Sequence, residues 1–313
     1  MKKIVVIGGG TGSYNVLRGL KGYDVDLTAI VNMTDDGGST GVLRDEFGVL
    51  PPGDLRRCLV ALSESTEIMK KLFQYRFPSG ALQGHSLGNL LLTALKDMTG
   101  SDEKAIREAC RILAIRGNVL PVTLKDCRLN AELEDGTVVR GEKNLDNPEH
   151  DGRLRIKRLF LDEPAQAYDD ALHAIAAADL IVLGPGDLYG SVIANLIVDS
   201  VSEAIRNSKA KKLYVCNLMT KNGETNNFKV SDFVFEVEKY LGIDSIDYVL
   251  VNTSMINPVV LSSYCKENAV PVEYDESKCG QFRARFIAAD LVTSTEVLRH
   301  DSTLLAESIV SLV

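Results

Sequence analysis

The stretch KKIVVIGGGTGS, residues 2–13, decides the fold class of this chain. Residues 3–7 are almost wholly aliphatic, which is typical of a buried parallel strand, and residues 8–12 form a glycine-rich turn into a helix. Glycines let a backbone approach an anion closely, and a helix N-terminus directs unpaired N–H groups and a positive dipole end towards it. The stretch therefore predicts a phosphate-binding turn, and a tight turn without any ligand is the alternative.

The dinucleotide fingerprint G-x-G-x-x-G is incomplete, because Ser13 stands where its third glycine would be. The next predicted strand, residues 26–31, is followed by Asn32, whereas an NAD site needs an acidic residue there to hold the ribose. An NAD-dependent dehydrogenase is therefore a weak hypothesis, and no NAD is expected.

A long polar loop follows that second strand: NMTDDGGSTGVLRDEFGVLPPGDLRR, residues 32–57. Ordinary connections take about 4 to 6 residues, so a loop of this length and polarity is usually functional or disordered. We expect it to form a second wall of a phosphate or nucleotide site.

Length and charge exclude several classes of protein. A chain of 313 residues suits one large α/β domain or a core with a subdomain. The formal net charge of -8, without lysine-rich blocks, argues against nucleic acid as a partner. No apolar run reaches the ~20 residues that span a bilayer, so we expect no membrane partner and a cytoplasmic location. A homo-oligomer is compatible with the sequence, which does not decide the oligomeric state.

The order of apolar patterns predicts the architecture. Residues 55–115 have helical spacing, and residues 119–161 have strand patterns with a hairpin turn at Asp135-Gly136. From residue 165 a helix to residue 178 precedes strands at 180–183, 212–217 and 248–251. We predict a single α/β domain, residues 1–313, with a Rossmann-like parallel sheet, helices on both of its faces, and a helical and β-hairpin insert at residues 54–163.

Three further polar loops are expected at the carboxyl ends of strands or at a helix start. GPGDLYGS, residues 184–191, offers a carboxylate and hydroxyls, although Asp187 is alternatively a mere helix N-cap. The loop at residues 217–226 is nearly all hydrogen-bonding side chains, with a solvated surface loop as the alternative. GHSLGN, residues 84–89, opens a helix, and His85 there is a candidate acid or phosphate ligand, or else a structural histidine.

Carboxylates and arginines on these loops suggest phosphate chemistry. Asp35, Asp36, Asp54 and Asp187 would meet at one rim of the sheet, where Mg²⁺ could bind to carboxylates and substrate phosphates. Aspartate is also an ordinary turn residue, so each of the four could be only a turn former. Arg44, Arg56 and Arg57 are candidate phosphate clamps, and because Arg56 and Arg57 diverge by ~100° on a helix, only one of them is expected to face the site.

The candidate residues lie on these loops and helix starts. The catalytic candidates are Asp35, Asp36, Asp54 and His85, and the candidate metal ligands are Asp36 and Asp187. The candidate ligand-binding residues are Gly9, Gly10, Thr11, Gly12, Asn32, Ser39, Thr40, Arg44, Arg56, Asn89, Gly184, Gly186, Asp187, Tyr189, Ser191, Asn195, Asn217, Thr220 and Thr225.

Six motifs together resemble a known family: GGGTGS, NMTDDGGSTGVLR, PPGDLRRCLVALSE, GHSLGNLLL, GPGDLYGSV and NLMTKNGETNNF. The chain resembles the YvcK/CofD-like family, which includes bacterial gluconeogenesis factors and the archaeal and actinobacterial 2-phospho-L-lactate transferases. The resemblance runs from residue 1 to about residue 255, and the loops at residues 51–64 and 220–225 look like the YvcK branch.

The resemblance implies a Rossmann-like core with a pocket for a nucleotide-linked ligand, but the two branches imply different activities. The YvcK branch implies binding of a UDP-sugar such as UDP-N-acetylglucosamine, and support of cell shape and wall synthesis on gluconeogenic carbon sources. The transferase branch implies Mg²⁺-dependent transfer of a phospholactyl group from a guanosine diphosphate-linked donor to a deazaflavin, with Asp35 or Asp36 near the deazaflavin. The first is our leading hypothesis and the second is the alternative.

Overall fold

The computed structural model describes residues 1–293 and 298–313, which form ten strands. The strands are β1 (Lys2–Gly8), β2 (Val25–Val31), β3 (Asn118–Pro121), β4 (Leu129–Leu133), β5 (Val138–Arg140), β6 (Ile156–Leu161), β7 (Leu180–Leu183), β8 (Lys211–Val215), β9 (Tyr248–Asn252) and β10 (Arg285–Ala289).

Seven of these strands form one parallel sheet in the order β10-β9-β8-β7-β1-β2-β3. From β3 to β9 this is the doubly wound order of a Rossmann fold, with β1 at the centre and the reversal of strand order between β1 and β7. The central strand has β2 on one side and β7 on the other, and Ile4 to Ile7 are all at most 2% exposed. The prediction of a Rossmann-like α/β fold is confirmed.

The remaining strands form a small antiparallel sheet in the order β5-β4-β6. Its hairpin turns at Asp135-Gly136, as predicted, and Gly136 adopts a positive φ of 87°, which favours glycine. β3, although it lies within the range predicted for the insert, is the edge strand of the main sheet and pairs with β2. The range 54–163 therefore contributes to both sheets.

Helices connect the strands and pack in two groups, one containing α1, α3 and α14 and the other containing α8, α10 and α11. A π-helical segment, Leu188–Ile193, follows β7. The helices are α1 (Gly10–Leu20), α2 (Gly38–Phe47), α3 (Pro52–Leu62), α4 (Glu67–Gln74), α5 (Leu87–Thr99), α6 (Asp102–Ile112), α7 (Glu142–Asp146), α8 (Asp169–Ala177), α9 (Ala194–Leu196), α10 (Val201–Asn207), α11 (Val230–Leu241), α12 (Pro258–Cys265), α13 (Glu276–Cys279) and α14 (Ser302–Val310).

Several boundaries differ from the predicted ones. The block predicted as almost wholly helical is interrupted at residues 75–86, where the chain bends and Arg76 bridges to Ser86. The helix predicted from residue 165 begins at Asp169, because residues 165–167 lie against the chain near Asp199. β10 was not predicted, since its short, half-exposed pattern RFIAA lacks the apolar run of a central strand.

The described helices include none that is long and apolar enough to cross a lipid bilayer.

Candidate functional site

A cleft with a volume of 1280 Å³ lies across the carboxyl ends of β1, β2, β7 and β8. It contains the point between β1 and β7 where the strand order reverses, which is where doubly wound sheets bind their ligands. The predicted site residues that line the cleft are Gly9, Gly10, Thr11, Gly12, Asn32, Asp35, Asp54, Gly186, Asp187, Ser191, Asn217, Thr220 and Thr225.

Two glycine-containing turns form the centre of the cleft and are packed against each other. A Cβ atom added to Gly12 would lie 3.0 Å from the Gly186 nitrogen and closer still to the Pro185 carbonyl oxygen. α1 begins at Gly10, and its N-cap residue Gly9 supplies no side-chain cap to the first-turn N–H groups. The turn therefore presents helix N–H groups to the cleft, of which the Gly10 N–H is bonded to the Asp54 carboxylate, and only glycine at position 12 lets the second turn approach so closely.

Two buried aspartates lie beside the first glycine turn. Burial, and after it the nearby Asp35 carboxylate, raise the pKa of Asp54 to about 7, although Arg57 and the Gly10 N–H oppose the shift. Burial also raises the pKa of Asp35, although that carboxylate accepts a hydrogen bond from the Gly37 N–H at 2.9 Å. Both carboxyl groups therefore keep their protons to higher pH than an exposed aspartate does, and Asp54 keeps its proton to about neutral pH.

Neighbouring arginines on α3 have opposite environments. Arg57 lines the cleft with its side chain 43% exposed, its Nη1 lying 3.3 Å from Thr11 Oγ1 and 4.0 Å from Asp54 Oδ1. Arg56 is buried and lies outside the cleft lining, where its Nε donates to Asn89 Oδ1 at 2.8 Å. Only one of the two faces the site, as expected, and it is Arg57, whereas Arg56 was the predicted ligand-binding residue.

Lys221 is the centre of an ion-pair network at the opposite wall. Its Nζ lies 2.8 Å from Glu224 and 2.9 Å from Asp187, and it also contacts Asp146 of α7. Burial alone would lower the pKa of Lys221, but the three carboxylates raise it, and Glu224 in turn has its pKa raised by burial to about 7. Lys221 therefore stays charged and connects the loop after β8 to α7 and to the loop after β7.

α7 brings one further acid into the cleft. Glu142 lines the cleft opposite Gly190. A Cβ atom added to Gly190 would lie 3.2 Å from Glu142 Oε1. Burial, with the charges of Asp35 and Asp146, raises the pKa of Glu142 to about 9. Its carboxyl group is consequently neutral at pH 7 and offers a hydrogen-bond donor to a ligand.

Asparagine and threonine side chains that line the cleft form hydrogen bonds to the backbone of its loops. Asn32 Nδ2 donates to the Gly190 carbonyl at 2.8 Å, and Asn217 Nδ2 donates to the Gly186 carbonyl at 2.7 Å. Thr225 Oγ1 accepts from the Lys221 N–H at 2.8 Å, and Thr220 Oγ1 accepts from the Val270 N–H at 3.0 Å. These residues therefore hold the cleft walls in place through their own hydrogen bonds.

Three predicted residues form a polar cluster outside the cleft lining. Ser39 Oγ lies 3.1 Å from His85 Nδ1, and Asn89 Nδ2 donates to Ser39 Oγ at 3.3 Å. Since Asn89 also accepts from Arg56, the cluster joins α2, α3 and α5. This geometry favours the structural interpretation of His85 over the catalytic one.

Arg44 and Asp36 also lie outside the lining and point towards the small sheet. The Arg44 side chain is fully buried, and it donates to the carbonyls of Asp35 and Cys127 at 2.8 Å and contacts Asp126. Asp36 Oδ1 accepts from the Lys143 N–H at 2.7 Å. Both side chains attach the long loop to the β4–β6 unit rather than facing the cleft.

The other predicted residues that do not line the cleft pack behind its walls. Thr40 donates its hydroxyl to the Asp35 carboxylate, and Gly184 occupies a positive φ of 73° where β7 turns. Tyr189 is buried against Glu236. Asn195 Nδ2 donates to the carbonyls of Gly8 and Ser191, at 3.3 and 2.7 Å, and so joins β1 to the π-helical segment.

Comparisons with known proteins identify the family. The family model described as 2-phospho-L-lactate transferase CofD matches residues 4–292. The chain belongs to the YvcK/CofD-like family. It is 44% identical over 311 residues to a gluconeogenesis factor of Halalkalibacterium halodurans, covering 98% of this chain and 95% of that one. It is 42% identical over 314 residues to the gluconeogenesis factor of Bacillus subtilis, covering 99% and 98%.

A solved structure has the same architecture. The crystal structure of a Bacillus halodurans protein superposes with a TM-score of 0.95 at 43% sequence identity, covering 99% of both chains. The match extends beyond the resemblance found in the motifs, because it includes β10 and α14, which follow residue 255.

Magnesium, which the transferase branch of the family implies, does not fit the pair of ligands predicted from sequence. Asp36 is engaged by the Lys143 N–H and lies 3.8 Å from Arg128, whereas Asp187 is paired with Lys221 across the cleft. Within residues 1–293 and 298–313, no three His, Cys, Asp or Glu side chains are arranged to hold a metal ion. We therefore assign no step to a metal bound by Asp36 and Asp187.

Three titratable residues that line the cleft are absent from the predicted set. Lys221 lies within the quoted motif NLMTKNGETNNF, so its position after β8 was available, but its role depends on acids from two other loops. Glu142 follows the predicted hairpin, and only the docking of α7 brings it to the cleft. His300, far along the chain, also lines the cleft without any motif to indicate it.

Proposed function

We propose that this protein binds a nucleotide sugar in the cleft, specifically a UDP-sugar such as UDP-N-acetylglucosamine, and acts as a regulator rather than a catalyst. As such a regulator, the protein would support growth on gluconeogenic carbon sources, cell shape and wall synthesis. Relatives over nearly the whole chain carry the name gluconeogenesis factor, which supports this branch of the family.

One observation carries the proposal: the paired glycine turns at the reversal of strand order. The first turn offers N–H groups of an 11-residue helix, α1, which has no side-chain N-cap and whose Gly10 N–H is bonded to Asp54, and the second turn packs directly onto Gly12. Arg57 stands at the edge of the first turn with a partly exposed guanidinium. A helix N-terminus and an arginine fork suit the two phosphates of a nucleoside diphosphate.

The size and composition of the cleft support a ligand larger than a free phosphate. Pockets for drug-sized molecules occupy about 300–1,000 Å³, whereas this cleft has 1280 Å³ and extends on both sides of the glycine turns. Neutral Glu142 and the amide of Asn222 add hydrogen-bonding groups for sugar hydroxyls along the wall. The cleft thus has room for a base at one end and a sugar at the other.

Calorimetric titration tests the proposal. The purified protein is titrated with UDP-N-acetylglucosamine and with GDP, each with and without Mg²⁺, and the mixtures are then analysed for nucleotide products. We expect micromolar binding of the UDP-sugar that does not require Mg²⁺ and leaves the ligand intact. The proposal is contradicted if the protein prefers GDP to the UDP-sugar when Mg²⁺ is present, or if a nucleotide product is released.

The two neighbouring arginines provide a matched pair of variants. Arg57→Gln should weaken UDP-N-acetylglucosamine binding about tenfold or more, because a charge-assisted hydrogen bond contributes about 1.5–3 kcal/mol. Arg56→Gln should leave the dissociation constant within about threefold and instead lower the free energy of unfolding by about 1–3 kcal/mol, since it leaves Asn89 and the Phe73 carbonyl without a partner. Calorimetry and urea unfolding measure the two effects, and equal losses of affinity would count against a phosphate contact by Arg57.

A second candidate function is the Mg²⁺-dependent phospholactyl transfer of the CofD branch, and one observation favours it. The pKa of Asp54, raised by burial to about 7, is suited to a general base at neutral pH. Asp54 also lies within the cleft, beside the glycine turn. Phospholactyl transfer from a guanosine diphosphate-linked lactate donor to a deazaflavin alcohol, with Mg²⁺ supplied, would release GMP, and absence of GMP removes this candidate.

A further inference from the structure

Lys221 is held at the cleft wall by carboxylates from three segments of the chain. Its Nζ lies 2.9 Å from Asp187 Oδ2 and 2.8 Å from Glu224 Oε1, and it also contacts Asp146. Asp187 belongs to the loop after β7, Glu224 to the loop after β8 and Asp146 to α7, and all of them line the cleft, as Lys221 does. An ammonium group has three N–H donors, so three carboxylates saturate it.

The three carboxylates differ in how firmly they are bound to the ammonium. The Glu224 side chain is 2% exposed, whereas those of Asp146 and Asp187 are 43% and 44% exposed. A buried carboxylate that loses its cation is strongly destabilising, so Glu224 keeps Lys221 as its partner. Exposed ion pairs contribute little, because water solvates a released carboxylate. Two of the three positions around the ammonium are therefore exchangeable for oxygen atoms of a ligand.

The ammonium lies beside the second glycine turn. Asp187 directly follows Gly186, whose nitrogen lies against Gly12 of the first turn. Asn217 Nδ2 donates to the Gly186 carbonyl at 2.7 Å, and so holds the loop that carries Lys221 against that turn. Arg57 occupies the corresponding position at the first turn, with its Nη1 3.3 Å from Thr11 Oγ1. The cleft thus has a cation beside each of its two glycine turns.

Asp187 explains why a cation is needed at the second turn. A diphosphate bound there meets the carboxylate of Asp187, and the two anions repel each other unless a cation lies between them. Mg²⁺ commonly has this role, since it binds one or two carboxylates together with substrate phosphates. In this chain the cation next to Asp187 is the Lys221 ammonium. The predicted metal ligand is therefore already paired with a cation that the protein itself supplies.

We propose that Lys221 replaces a divalent cation at the second glycine turn: its ammonium binds the phosphates of the nucleotide sugar in exchange for Asp146 and Asp187, while Glu224 stays bound to it. The proposal rests on the proposed function, because it requires a nucleoside diphosphate at the glycine turns. It adds a ligand-binding residue to that function and gives the physical reason why binding should not require Mg²⁺.

The Mg²⁺ dependence of binding tests the role of Lys221. UDP-N-acetylglucosamine is titrated calorimetrically into wild type and into Lys221→Met, each with and without Mg²⁺. Without Mg²⁺, Lys221→Met should bind at least about tenfold more weakly than wild type, because a charge-assisted hydrogen bond to the phosphates is lost. With Mg²⁺, Lys221→Met should regain at least about threefold in affinity, since the released carboxylates can share the ion with the phosphates. Wild type should change by less than about twofold when Mg²⁺ is added.

Lys211→Met is the matched control, because Lys211 also forms an ion pair but lies at the start of β8, away from the cleft lining. Its Nζ is 3.1 Å from Asp247 Oδ1. This variant should bind the UDP-sugar within about twofold of wild type, with or without Mg²⁺. If Lys221→Met does not fold, Lys221→Met/Glu224→Gln takes its place, because it removes the buried partner together with the ammonium.

Three results overturn the inference and leave UDP-sugar binding intact. They are wild-type affinity of Lys221→Met without Mg²⁺, a loss of affinity that Mg²⁺ does not reduce, and binding by wild type only when Mg²⁺ is present. A purely structural role for Lys221 predicts the second of them. If wild type does not bind UDP-N-acetylglucosamine under either condition, the proposed function itself fails.

Discussion

Gly12→Ala should reduce the affinity for UDP-N-acetylglucosamine by at least about 100-fold. The new Cβ would lie 3.0 Å from the Gly186 nitrogen and closer to the Pro185 carbonyl oxygen, so the turn after β7 must move away. Both turns are proposed to contact the diphosphate, and loss of two charge-assisted hydrogen bonds accounts for about 3 kcal/mol, which is of that order. The dissociation constant, measured by calorimetry well below the melting temperature, reports the effect.

Gly19→Ala is the matched control, because it lies on the same helix and creates a similar clash elsewhere. Its Cβ would lie 2.9 Å from Ala306 Cβ and closer to the Ser302 carbonyl oxygen, so it displaces α14 rather than the cleft. Both variants should melt at lower temperature than wild type, but only Gly12→Ala should lose the ligand. Equal affinities of the two folded variants would show that the close approach of the turns is not needed for binding.

The fold was predictable because its determinants are local. The aliphatic run before Gly8 and the pure aliphatic strand Leu180–Leu183 are buried on both faces, and such runs are distinctive in sequence. β3 and β10 were harder, since both are edge strands of the sheet. An edge strand needs less apolar surface, so its pattern does not tell which sheet it joins, and β3 was placed in the insert for that reason.

The residues of the site were predictable only where the backbone alone places them at the cleft. The glycine turns and the loops after β2, β7 and β8 all reach the cleft, because parallel strands bring their carboxyl ends to one edge. The choice between Arg56 and Arg57 depends instead on how α3 packs, and every residue of α3 except Arg57 is buried. The partners of Arg44 and Asp36 come from residues 126–143, and no local pattern connects those residues to the long loop.

Asp54→Asn should make the protein more stable at pH 8 and leave its stability unchanged at pH 4. Burial and Asp35 raise the pKa of Asp54 from an ordinary 3.8 to about 7, so the folded state holds a proton that the unfolded state has released. The stability contributed by this proton is present below about pH 4 and is lost as pH rises to about 7, at a cost of up to about 4 kcal/mol. Asparagine is neutral at both pH values and can still accept from the Gly10 N–H. Urea unfolding at pH 4, 6 and 8 measures the difference, with the exposed Asp24→Asn as a control that should show none.

The same variant distinguishes the two candidate functions, because the Asp54 carboxylate would weaken ligand binding in one and act as the general base in the other. In a UDP-sugar-binding regulator, the ionised carboxylate repels the diphosphate, so Asp54→Asn should bind UDP-N-acetylglucosamine about fivefold more tightly at pH 8, on the order of 1 kcal/mol. In a transferase with Asp54 as general base, the variant should still bind its donor but lose at least about 100-fold in GMP release. Unchanged affinity at pH 8, together with unchanged stability, would mean that Asp54 is not charged in the cleft at all. A gain in affinity without any nucleotide product would instead show that ionisation of Asp54 makes the ligand affinity of the cleft depend on pH.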